Sequence, residues 1–266
     1  MERYQVTEGK GFRLADHDPA ATSGVAGKAE GRAEVAALTT RLDELQEAFY
    51  ADGRHKLLVV LQGMDTSGKG GAIRKAFEGL DPVGVHVAAF KAPTELERAH
   101  DFLWRVHPHA PADGQIAIFD RSHYEDVLIV RVRGLVPAAR WKARYTHIRA
   151  FEKMLADEGT VIRKFFLHIS KEEQAERLQA RLDDPTKRWK FRRGDLDERA
   201  RWDDYQAAYE EAIRRTATPS APWTVVPADR KWHRDLVISR TIVETLEGLD
   251  LRYPEPEEDL SGIVVE

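Results

Sequence analysis

The stretch "VVLQGMDTSGKGGAIRKAF", residues 59–77, sets an apolar run directly before Gly63-x-x-x-x-Gly68-Lys69 and a helix-forming run directly after it. Strand, glycine-bearing turn and helix in that order describe a phosphate-binding loop. The glycines let backbone N–H groups turn inward, the helix start adds partial positive charge, and Lys69 brings a mobile cation. Two letters depart from the ordinary loop. Gly70 stands where a Ser or Thr hydroxyl would ligate Mg2+, and Asp65 sits inside the cradle. A bare carboxylate there would repel each phosphate charge by about 4 kcal/mol at ~4 Å and an effective dielectric near 20, so Asp65 implies a bridging Mg2+. A second carboxylate, Asp120, follows the apolar "QIAIF" in "FDRSHYEDV". The simpler account of Asp120 is a helix N-cap. Arg121 comes next and presents a planar fork suited to phosphate oxygens in a transition state; its simpler account is a surface arginine.

Outward from the loop the pattern alternates. "KLLVVLQ", "GVHVAAF", "GQIAIFD", "TVIRKFFLHIS" and "PWTVVPA" are β-rich, and helical runs separate them, among them "GKGGAIRKAFEGL", "ERAHDFLWRV", "RWKARYTHIRAFEKMLADEG" and "KEEQAERLQARL". That alternation predicts right-handed βαβ units and a five-stranded parallel sheet covered on both faces. Upstream, Val35, Leu38, Leu42, Leu45 and Phe49 mark an amphipathic helix ending near Asp52-Gly53. The last helix runs over about residues 232–246. Residues 1–32, rich in Ala and Gly without a clear period, are expected to form a loosely packed arm. Residues 33–252 form the main domain, and residues 253–266, with five acids and no base, a surface strap.

Of 266 residues, 41 are Lys or Arg and 45 Asp or Glu, for a formal charge of −4. That balance argues against general nucleic-acid binding and sends the search for anion sites to local clusters. There is no cysteine, no long apolar run and no charged-then-apolar leader, so the expectation is a cytoplasmic protein without a membrane partner. One cluster stands out: residues 177–193, "RLQARLDDPTKRWKFRR", hold seven basic residues against two acidic ones. A charge run is usually a solvated helix face, but Trp189 and Phe191 interleave with Lys187, Arg188, Lys190 and Arg192. With the helices up to residue 216 they are expected to form a lid closing over phosphates.

Taken together and in this order, "GMDTSGKGG", "HDFLWR", "FDRSHYEDV" and "DPTKRWK" resemble the family-2 polyphosphate kinases, over about residues 56–246. The resemblance implies a three-layer α/β P-loop kinase fold of the thymidylate-kinase type with a helical lid at about 183–216. It implies phosphoryl transfer between inorganic polyphosphate and AMP, ADP or ATP, with Mg2+ as cofactor and Mn2+ as its substitute. Residue by residue it places metal ligands at Asp65 and Asp120. Phosphate-binding groups fall at Gly63, Gly68, Lys69, Gly70, Arg121 and the lid's Arg181, with Lys187 and Arg188 carried over less directly. The family members favouring ADP resemble "DRSWYNR". Here "DRSHYED" places His123 and Glu125 and resembles the subgroup that accepts both AMP and ADP, which makes Glu125 the candidate acceptor-selecting residue; the alternative is a plain helix-face glutamate. Family habit and the stripe from Val35 to Phe49 suggest a homo-oligomer, a dimer or tetramer.

No covalent intermediate is needed, because the attacking phosphate oxygen is already ionised and positioning with charge neutralisation suffices. For the same reason His107, His109 and His123 need no catalytic role. The main rival is an ATP-dependent nucleoside monophosphate kinase. A guanine-nucleotide switch would need asparagine for N-K-x-D, and the chain contains none. "WHRDLVISR" superficially matches a protein-kinase catalytic loop, but Arg240 occupies its metal-binding asparagine position and D-F-G is missing, so the match is taken as chance.

Overall fold

In the computed structural model the described residues are 1–256, 258–261 and 263–265. The strands are β1 Gln5–Val6, β2 Lys56–Gln62, β3 Val85–Ala89, β4 Ile116–Asp120, β5 Thr160–His168 and β6 Trp223–Pro227. They form one sheet in the order β1-β6-β5-β2-β4-β3. All pairs are parallel except β1 with β6, where Gln5 faces Thr224 and Val6 faces Trp223. The five expected strands are therefore present, but the sheet is mixed and has six. A two-residue strand is too short to show a period of two, so the sequence pattern missed it. The arm that carries it also buries Tyr4, Val6, Phe12 and Leu14, so it is not loosely packed.

The helices are α1 Lys28–Asp52, α2 Lys69–Ala76, α3 Glu95–Ala99, α4 Ile129–Val132, α5 Ala138–Asp157, α6 Lys171–Asp183, α7 Gly194–Ala200, α8 Trp202–Thr216 and α9 Lys231–Glu247. β5 shows how they cover both faces. Successive strand side chains point to opposite sides: Arg163 donates to Thr245 of α9, while its neighbour Lys164 reaches Glu152 of α5. α1 packs along α9, burying Val35, Leu42, Leu45 and Phe49 within the chain. The stripe that suggested self-association is thus spent on an internal helix. The helix expected over residues 97–106 stops at Ala99, because the Asp101 carboxylate accepts from the N–H groups of Leu103 and Trp104 and turns the chain. No helix among the described residues is long and apolar enough to cross a membrane.

β2 lies at the centre with Leu57 to Gln62 all buried, the pattern of a strand covered on both faces. β4 and β3 flank it on one side, β5 and β6 on the other. The chain order reverses at β2, and the P-loop begins at its carboxyl end, the place at which open α/β sheets bind ligands in a crevice.

At the end of β5, burial, followed by the charge of His17, lowers the His168 pKa to about 4. The unfolded chain, with a value near 6.5, therefore takes up this proton first as the pH falls. The contribution to stability is complete above pH ~6.5 and is lost between ~6.5 and about 4, on the order of 3 kcal/mol. Replacing His168 by Gln is expected to flatten the acid limb of a stability-against-pH curve measured by urea unfolding. An unchanged limb would assign acid sensitivity to other groups.

Candidate active site

The loop after β2 turns at Gly63 and Gly68, the latter at φ 97°. A Cβ on Gly68 would lie 2.1 Å from Arg234 Nη1, so both the backbone angle and the space require glycine. Lys69 opens α2 and is only 7 % exposed. Its ammonium donates to the carbonyl oxygens of Gly63 at 2.7 Å and Met64 at 3.4 Å. Burial, then the charge of Arg121, lowers its pKa, while Asp65, Asp120 and Glu125 oppose the shift. Gly70 follows in the first helical turn and has no atoms within 4 Å of where a Cβ would stand.

Asp65 and Arg121 meet across the crevice: Arg121 Nη2 donates to Asp65 Oδ1 at 3.1 Å. Arg121 has φ 62°, a left-handed conformation costly for a side chain with a Cβ and typical of positions over-determined by their surroundings. Its guanidinium loses hydration on burial, but Glu125, Asp65 and Asp120 outweigh that and raise its pKa. Asp120 ends β4. It is not an N-cap; Ser122 caps the following 3-10 turn, His123–Asp126, by accepting from the Tyr124 N–H. Asp120 Oδ1 is buried with no hydrogen-bond partner.

Glu125 lies in that 3-10 turn, not on a helix face. With its amide turned to satisfy both ends, Gln62 donates to Glu125 Oε1 at 3.0 Å and accepts from Ser122 Oγ and N. Burial raises the Glu125 pKa, opposed by Arg121 and Lys69 and reinforced by Asp65. Its neighbour Asp126 points elsewhere, toward Arg144 at 3.1 Å and Arg105 at 3.5 Å. Asp65, Lys69, Asp120, Arg121 and Glu125 thus form one electrostatic group.

The basic residues of the expected lid differ in their partners. Arg181, near the end of α6, lies 3.7 Å from Asp195 of α7. Burial raises the Asp195 pKa and the charge of Asp65 adds to the shift, against the backbone N–H of Arg192. Lys187 and Arg188 are instead engaged locally: Lys187 pairs with Asp184 at 2.6 Å, and Arg188 Nε donates to Leu182 O at 2.7 Å. Trp189 is 76 % exposed.

The region about residues 26–254 matches the family model of Polyphosphate kinase 2. The chain belongs to this family. It is 56 % identical over 267 residues, spanning the whole of both chains, to an AMP/ADP-polyphosphate phosphotransferase of Meiothermus ruber. It is 46 % identical to an ADP-polyphosphate phosphotransferase of Rhodopseudomonas palustris, over 81 % of this chain and 78 % of that one. The crystal structure of Polyphosphate Kinase 2 from Arthrobacter aurescens superposes with a TM-score of 0.94 at 49 % identity, covering 97 % of this chain and 93 % of the other. Membership in the family makes the chain an enzyme, a phosphotransferase of polyphosphate and nucleotides.

Sequence pattern missed three residues behind the loop of this family member: Gln174 and Arg177 of α6 and Arg234 of α9. Arg234 and Asp235 belong to the "WHRDL" run set aside as a chance match, and their ion pair at 2.6 Å is nearly buried. Two adjacent opposite charges inside an apolar helical run were the one available signal.

Proposed function

We propose that this enzyme transfers the terminal phosphoryl group of inorganic polyphosphate to AMP and to ADP, giving ADP and ATP. A phosphate oxygen of the acceptor attacks the terminal phosphorus in line. One P–O bond forms as the bond to the penultimate phosphate's bridging oxygen breaks, leaving a polymer one unit shorter, and the same route runs in reverse. The observation that carries it is the facing of Asp120, with its unpartnered buried oxygen, and the Asp65–Arg121 pair over a P-loop whose Lys69 is already buried. The 56 % identical AMP/ADP-polyphosphate phosphotransferase of Meiothermus ruber supports the same acceptors.

Asp65 and Asp120 are the groups that would hold Mg2+, or Mn2+ in its place. Among the described residues no three acidic, His or Cys side chains close into a ligand cluster. Two carboxylates suit Mg2+, which takes its remaining ligands from water and substrate. Bound there, the cation would neutralise charge on the phosphate oxygens. Lys69 and Arg121 hold the transferred group from the protein side, and Arg181 approaches from the lid with Lys187 and Arg188 farther out along the polymer. Glu125, raised toward its neutral form by burial, sets the acceptor position through Gln62 and the Ser122 turn.

The test is turnover of AMP and of ADP with polyphosphate as sole donor. No turnover with either overturns the proposal, and turnover only with ATP as donor would favour the nucleoside monophosphate kinase. Within the same assay, Glu125→Asn is expected to lower AMP phosphorylation about tenfold relative to ADP, roughly 1.4 kcal/mol of discrimination. An equal loss with both acceptors would return Glu125 to general electrostatics.

A further inference from the structure

Each carbonyl from Gly63 to Gly68 accepts a hydrogen bond from a side chain. Lys69 takes those of Gly63 and Met64 from within the loop. The next four are taken from behind it. Gln174 Nε2 donates to Asp65 O at 3.1 Å, and Arg177 Nη1 donates to Thr66 O and Ser67 O, both at 3.0 Å. Arg234 Nη1 donates to Gly68 O at 3.2 Å.

A trans peptide holds its C=O and the following N–H on opposite sides. Fixing the carbonyls of Asp65, Thr66 and Ser67 toward α6 therefore aims the N–H groups of Thr66, Ser67 and Gly68 the other way, while the Gly68 carbonyl, which also accepts from the Gly71 and Ala72 N–H groups of α2, is shared between that helix and Arg234. The Ser67 N–H closes a turn to Met64 O. Those of Thr66, Gly68 and Lys69 have no backbone acceptor among the described residues, and they face the crevice where phosphate oxygens would lie. Thr66 at φ 64° is in a conformation costly for a residue with a Cβ, one that an untethered loop would leave readily.

The three donors are themselves held. Arg177 also donates to Ala228 O and Asp229 O and pairs with Glu173 at 2.6 Å. Arg234 pairs with Asp235, and Gln174 accepts from Arg199 of the lid helix α7 at 3.1 Å. All three are buried.

We infer that Gln174, Arg177 and Arg234 are positioning residues that set the phosphate-binding amides of the P-loop by anchoring its carbonyls from behind, without touching phosphate. The inference rests on the phosphate site proposed above, and Gln174 extends it by tying the lid to the same loop. A ligand held by the loop should therefore be sensitive to side chains on its far side, in proportion to the carbonyls each one releases.

The test is calorimetric binding of inorganic tripolyphosphate, with melting temperature measured in parallel. Gln174→Met keeps the volume and removes the donor to one carbonyl. It is expected to raise the dissociation constant about tenfold, the size of one buried carbonyl losing its donor. Arg234→Gln is expected to raise it less, about threefold, because Gly68 O keeps the Gly71 and Ala72 N–H donors, and Arg234→Lys, which keeps charge and a donor, to restore most of that binding. Ile242→Ala, in the core of α9, supplies a control of comparable melting loss that should bind as the unchanged protein does. In nitrogen-15 spectra, the Thr66, Gly68 and Lys69 amide shifts on ligand addition should shrink in Gln174→Met and Arg234→Gln only. Variants that bind as tightly as the control overturn the positioning role. An unchanged protein that binds no tripolyphosphate removes the phosphate site itself, and both proposals with it.

Discussion

Asp120→Asn and Asp65→Asn are each expected to lower kcat by a factor of about 10³ or more while leaving the fold intact. Each exchange removes anionic charge from the pair of carboxylates proposed to share a divalent cation, and Asn is nearly the same size. Stability should change little at either position. Asp120 Oδ1 has no partner to lose, and the Asp65–Arg121 pair is part exposed, with side chains 32 % and 40 % accessible, where such pairs contribute little. Rates are best compared across a Mg2+ titration, because a lost ligand shows most strongly below saturation. Activity near that of the unchanged enzyme at low Mg2+ would reject the ligand role of the residue concerned.

The second large effect concerns charge far from water. Lys164 and Glu152 are both essentially inaccessible and pair at 2.7 Å. Lys164 also donates to Tyr124 OH and Thr216 O, at 2.9 Å each. His123 lies 3.3 Å from Glu152, and the Tyr124 hydroxyl lies 2.7 Å from the same carboxylate. Against the opposing cost of burial, Lys164 and His123 hold Glu152 below the usual carboxylate range. Removing the cation alone with Lys164→Met strands a carboxylate in the core and is expected to cost about 3–5 kcal/mol. For a chain this long that is on the order of 10 °C in melting temperature. The double variant Lys164→Met, Glu152→Leu should recover most of the loss, since an apolar pair of similar volume needs no counter-charge. If the single variant melted as the unchanged protein does, or the double one lower still, the ion pair would not be what holds this layer.

The two sites differ in how far sequence could reveal them. The P-loop was legible because its requirements are local: glycines at Gly63 and Gly68 and a lysine next door, between strand and helix. Asp120 and Arg121 were legible from their place after an apolar strand. The backing residues were not, because Arg177 reaches Thr66 across 111 positions and Arg234 reaches Gly68 across 166, distances at which no spacing rule operates. Lys164 gave a faint sign as a charge inside "TVIRKFFLHIS", but only the fold tells that it faces inward while Arg163 faces α9. The local structure of Glu125 was not legible, because Ser122 caps a 3-10 turn where the residue pattern suggests a helix. The basic run at 177–193 reads as one unit in sequence, whereas its first arginine, Arg177, bonds to the carbonyls of Thr66 and Ser67 in the P-loop.

The sheet's two margins are unlike. On one side β1 covers β6 with two antiparallel residues, too short a margin to template a further chain. On the other, β3 is a five-residue margin in which His86 and Val87 are both exposed. Two copies joined through β3 would be related by a two-fold axis, so that contact closes on itself. At the other margin β1 pairs only Trp223 and Thr224 of the five-residue β6, and removing it would leave the whole of β6 open to a further strand.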